Sequence, residues 1–174
     1  MTTAQTGVLS TAELRAWRTF LRAHAQVTGK LEAELVAAQD LALPSYEVLL
    51  HLVEAPDHRL RMTELADRVL LSRSGLTRLV DRMVREGLVE RQQCPSDARG
   101  THAVLTDSGL AKLRAASPVH LQGVVDHVTS RLTAEEIDLL GDLLGKLVDG
   151  GADGGADGGA DGGCGVPATA CGLS

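Results

Sequence analysis

The sequence predicts a mainly α-helical protein with a small β-hairpin wing: a winged helix-turn-helix lobe carried on a helical dimerisation region. Three observations lead there. Between Arg61 and Thr106 the chain reads RMTELADRVLLSRSGLTRLVDRMVREGLVERQQCPSDARGTHAVLT, two short helical patterns and then two short strand patterns around a polar tip. Ahead of it, Leu14, Trp17, Leu21, His24, Thr28, Leu31 and Leu35 recur at alternating spacings of three and four, a heptad seam. Behind it, two more stretches repeat Leu and Val at helical spacing.

Taken in order, residues 1–10 are small and polar and are expected to be disordered. A helix begins at Thr11, with Ser10 or Thr11 as its cap, and the seam extends it over about 28 residues, roughly 40 Å, which suits an interface. Pro44 fits the first turn of a second helix reaching Glu54, with Tyr46, Leu49, Leu50, Leu52 and Val53 as its apolar residues. Ala55 to His58 reads as a turn. Thr63 is the expected cap of a short helix, and Ser72 caps the next, which runs to about Glu86 before Gly87 stops it. That helix has an inner face of Leu76, Leu79, Val80 and Met83. Its outer face holds Arg73, Ser74, Thr77, Arg78, Arg82 and Arg85. Residues 88–91 and 101–105 are the expected wing strands, with 94–100 as the tip. A long helix follows Thr106, and Pro118 is expected to kink or interrupt it. Thr133-Ala134-Glu135-Glu136 has the form of a capping box ahead of a last helix with Ile137, Leu140, Leu143, Leu144 and Leu147. One domain over 11–148 results, with dimerisation helices at 11–42 and 107–148 and the lobe at 44–106. Residues 149–174, with a Gly-Gly-Ala-Asp repeat, read as a flexible acidic tail.

The net charge is −6, but its distribution is uneven. Residues 59–104 hold nine Arg against six acidic side chains, so this segment alone is positive, at +3. A positive lobe in an acidic chain points to a polyanion as its partner. Arg73, Ser74, Thr77 and Arg78 lie at the N-terminal end of the second lobe helix, where a recognition helix meets base edges in the major groove. Arg pairs bidentately with guanine, worth about 1–3 kcal/mol per good contact. Arg99 at the wing tip suits a narrow minor groove, and Asp97 suits the task of holding an Arg. No apolar run reaches the roughly 18 residues of a membrane span, and no secretory signal opens the chain, so the expected compartment is the cytoplasm. Cys94, Cys164 and Cys171 form no CxxC pair. No phosphate loop, HExxH or nucleophile motif is present, so no enzyme, cofactor or metal is expected.

TELADRV, LSRSGLTRLVDRMVREGLVER, DARG and VLTDSG, in this order and spacing, resemble the multiple-antibiotic-resistance regulator (MarR) family over residues 11–148. The resemblance implies a homodimer with interleaved first and last helices, binding a pseudo-palindromic operator in double-stranded DNA. It further implies a repressor that a small aromatic effector releases. Carried over, Ser72 to Arg78 would match the base-reading end, Asp81 and Arg82 the family's Asp-Arg pair, and Asp97 and Arg99 the wing's D-x-R. Leu70 stands where many members have Gly, and Ala98 where Arg is common. The effector site it implies would draw on Trp17, His24, Tyr46, His51 and Met62. Two other readings stay open: a redox-responsive regulator acting through Cys94, and a winged-helix protein-interaction module without DNA binding.

Overall fold

The computed structural model describes residues 8–94 and 97–149; the side chains of 94, 97–99 and 149 fall outside that description. The chain divides after Val124 into two compact units. The first begins with α1 (Thr11–Gln39). Ser10 starts it with a capping box: the Glu13 amide donates to Ser10 Oγ at 3.3 Å, and the Ser10 amide donates to Glu13 Oε2 at 2.7 Å. Of the heptad seam only Leu31 and Leu35 are buried, and Trp17 and Leu21 stay exposed. α1 ends on Asp40, a left-handed cap with φ +46°.

α2 (Leu43–Glu54) has Pro44 in its first turn and buries Tyr46, Val48, Leu49 and Leu52. The Leu43 amide donates to the Glu32 carboxylate, tying α2 to α1. Next come β1 (Arg59–Arg61), α3 (Met62–Arg68) and α4 (Arg73–Arg85). α3 starts earlier than expected. Its cap is Arg61, whose amide donates to Glu64 Oε2 at 3.2 Å, so Thr63 lies inside the helix. The turn to α4 passes through Leu70 at φ +54°, taking the left-handed conformation without a glycine. Ser72 caps α4, and Leu76, Leu79, Val80 and Met83 are buried as the spacing predicts. Gly87, at φ +72°, closes the helix in a Schellman pattern: Leu88 N–H reaches Met83 C=O and Gly87 N–H reaches Val84 C=O.

The wing is larger than a hairpin. β2 (Val89–Cys94) and β3 (Asp97–Leu105) run past the expected strand ends, and β1 joins β3 to give an antiparallel sheet of order β1-β3-β2. Leu60, Val89 and Ala103 turn one face of it into the core. α5 (Asp107–His127) continues through Pro118 without interruption. The proline forfeits one backbone bond on an exposed side, while Leu113, Ala116 and Gly123 keep their packing. At Gly123 a Cβ would strike Leu31 and Glu34, so α5 and α1 cross closely there.

The second unit contains α6 (Ala134–Asp149). Thr133 and Glu136 form the predicted capping box, at 3.3 Å and 2.9 Å. Ile137, Leu140, Leu143, Leu144 and Leu147 are all exposed in the single chain. The acidic repeat lies outside the described residues.

Candidate nucleic-acid interface

The polar side of α4 is shaped first by its own start. Ser72 Oγ accepts from the Gly75 amide at 3.1 Å and lies 3.3 Å from Ser74 Oγ. Thr77 Oγ1 donates back to the Arg73 carbonyl at 2.8 Å, which leaves its oxygen lone pairs facing out. Arg73 and Arg78 are exposed, and their guanidiniums make no ion pair or hydrogen bond to another described residue. Among the described residues they are the α4 arginines whose guanidiniums have no partner within the fold.

The remaining arginines are engaged. Arg82 Nη2 donates to Ser45 Oγ at 3.2 Å, and Ser45 is buried at the start of α2. Arg82 Nε lies 3.9 Å from Glu86. Arg85 donates to the Asp81 carbonyl at 3.3 Å. Asp81 itself faces the wing: its carboxylate lies 2.9 Å from Arg91 Nη2 on β2, which also donates to the Thr77 carbonyl at 3.4 Å. The sequence reading missed Arg91 and Ser45. The available signal was alternation, which sets Arg91 on the same strand face as apolar Val89, where a charge needs a partner. The side chains of Asp97 and Arg99, and of Cys94, lie outside the described residues.

The five residues expected to form an effector site lie on α1 (Trp17, His24), α2 (Tyr46, His51) and α3 (Met62). Trp17 stacks on Phe20 at 6.1 Å between ring centroids, and both are exposed, as is His24. Tyr46 is buried, its ring 4.5 Å from that of His120, and its hydroxyl donates to Ser117 Oγ at 3.5 Å. His51 and Met62 are half-buried. Burial holds the His51 imidazole below its ordinary range, against the opposing pull of Glu54. Burial lowers His120 in the same way, and its enclosed Nδ1 has no hydrogen-bond partner. Glu47 is pushed up by burial and by the neighbouring charge of Glu32. A cleft of about 560 Å³ does exist, elsewhere: Asp40, Ser45, Arg82, Glu86, Ser108 and Lys112 supply its polar lining. None of the five residues borders it.

Comparison with known proteins follows the same lines. Residues 39–100 match the MarR family profile. The chain is 35% identical to Sco3205, a MarR family transcriptional regulator from Streptomyces coelicolor solved in complex with DNA. That match covers 85% of this chain and 92% of the other, at a TM-score of 0.80. Against the transcriptional regulator HosA of Escherichia coli O111:H- it is 30% identical over 114 residues, 66% of this chain and 80% of that relative. Against the transcriptional repressor YetL of Bacillus subtilis (strain 168) it is 33% identical over 109 residues, 61% of this chain. The chain spans 65% of YetL's length, just under two thirds. A shared winged lobe, matched in sequence and in backbone, makes this chain a member of the MarR family.

Proposed function

We propose that the protein is a homodimeric, sequence-specific DNA-binding repressor, with α4 as its recognition helix. The observation that carries this is the division of labour on α4. Arg73 and Arg78 stand unpaired beside Ser74 and Thr77 at its N-terminal end, while Arg82 and Asp81 are tied to neighbouring elements. Exposed cations, short hydroxyls and a held helix are what base reading in a major groove requires. Arg99 at the wing tip is assigned to the adjacent groove. Sco3205, similar in sequence and backbone, was solved in complex with DNA, which supports a DNA-binding reading. A protein-interaction module would have no use for cations at both helix and wing. The dimer reading rests on the exposed Trp17, Phe20 and Leu21 of α1 and the exposed leucines of α6, which a second copy would cover.

Selection of genomic fragments by the purified protein tests this. It should enrich a pseudo-palindrome with half-sites about one helical turn, roughly 10 bp, apart. Enrichment of no duplex at all would sink the reading in favour of a protein partner.

An effector reading is favoured by the cleft, since Arg82 both lines it and holds α4 to α2. A small aromatic acid seated there would compete for the Arg82 guanidinium and loosen that hold. Titration with hydroxybenzoates should weaken operator binding in the parent protein and lose that effect in Arg82→Ala. An effect that survives the substitution would place the ligand elsewhere, with Tyr46, His51 and Met62 the next set to test.

A further inference from the structure

Arg91 sits in β2 opposite Ala103 of β3. Alternation puts it on the face of buried Val89, away from exposed Glu90. Its stem therefore runs along the inward face of the wing, and its head emerges at α4. There one nitrogen serves two acceptors, Asp81 Oδ1 at 2.9 Å and the Thr77 carbonyl at 3.4 Å. Thr77 and Asp81 lie one helical turn apart on the outer side of α4, in line with Arg73. Asp81 gains equally from the contact. Left alone, its carboxylate would stand on the face turned toward phosphates.

We propose that Arg91 is a positioning residue for sequence recognition. It clamps the wing strand to the recognition helix so that the two address a duplex as one body. Its charge is balanced by Asp81 and is not directed at phosphate. This rests on the DNA-binding reading above. It predicts that Asp81, an acidic residue on a DNA-facing helix, helps specific binding where simple charge counting says that it opposes it.

The test compares the parent protein, Arg91→Ala, Asp81→Asn and the double variant. Each is measured against the tightest duplex from the genomic selection and a scrambled duplex of equal length, over a range of KCl concentrations. Arg91→Gln, which keeps most of the stem, replaces the alanine variant if that one folds poorly. The clamp predicts that all three variants lose the same factor in the ratio of specific to scrambled binding, roughly 3- to 30-fold for a partly exposed pair acting in both half-sites. Once one partner is gone, removing the other adds nothing. The salt slope on the scrambled duplex should not change in the Arg91 variants. Two results overturn the clamp: a slope reduced by about 0.9 per phosphate lost in Arg91→Ala while Asp81→Asn binds more tightly, or ratios equal to the parent's in every variant. The first makes Arg91 a phosphate contact, and the second leaves the pair without a role. A parent protein that selects no duplex overturns the DNA-binding reading itself, and the clamp with it.

Discussion

Leu70 holds a left-handed backbone with its side chain 90% exposed, so it buries nothing in return for the strain. Leu70→Gly should raise stability by up to about 1 kcal/mol, the steric relief outweighing the added freedom of the unfolded chain, as read from the urea midpoint. Gly109 is the opposite case. A Cβ there would run into the Leu88 carbonyl and Leu105, where the start of α5 closes on the wing. Thr106 fastens the same corner, donating to Gly87 O at 2.7 Å and accepting from the Gly109 amide at 3.0 Å. Gly109→Ala should cost about 1–3 kcal/mol in the same assay, because backbone cannot move aside as a side-chain tip can.

His120 gives the residue scale its pH dependence. Its folded-state pKa lies below the ordinary 6.5, because burial beside Tyr46 disfavours the imidazolium. Below about 6.5 the unfolded chain therefore binds the extra proton more readily, and stability falls as the pH drops through that value toward the lower folded pKa. His51 acts in the same direction. Glu47 acts oppositely and in a lower window: its raised pKa contributes stability in acid that is lost as the pH climbs from 4.5. Between pH 7.5 and 5.5 the thermal midpoint should fall, and His120→Asn should flatten part of that slope.

At the scale of elements, α4 is held on two sides. Arg82 fastens it to buried Ser45 of α2, and Arg91 fastens it to the wing. Arg82→Ala removes the donor that Ser45 now has and should lower stability by about 1 kcal/mol. Arg78→Ala, with no partner among the described residues, should leave the thermal midpoint unchanged. The elements themselves were legible wherever a period could repeat. The inner face of α4, the Gly87 stop and the Thr133 box follow from spacing and cap chemistry alone. β1 was not legible because three residues are too few to alternate, and its strand character comes from pairing with β3 more than forty residues on. Pro118 does not interrupt α5, because a lost backbone bond is a local cost that surrounding packing can carry. In the interface, spacing found the outward set of Arg73, Ser74, Thr77 and Arg78. It could not separate Arg82 from them, since a buried serine 37 positions away decides where that guanidinium goes.

On the scale of the whole molecule, the proposed function assigns the charge and apolar patterns to different partners. The acidic chain is net positive only in the lobe, so binding to a duplex should weaken steeply with salt. In the proposed dimer a second copy covers the apolar residues left exposed on α1 and α6. Leu140→Asp with Leu144→Asp should shift sedimentation from dimer to monomer and abolish operator binding, while α1 to α5 keep their circular-dichroism signature. The central claim is that α4 reads bases with the arginines that the fold leaves free. It is tested most directly by the affinity of Arg78→Ala for the selected duplex, set beside its affinity for a scrambled one. The expected loss on the selected duplex is about 1–3 kcal/mol per half-site, with a much smaller loss on the scrambled one. Equal losses on both would show that Arg78 touches only phosphate, and no loss on either would remove α4 from the interface.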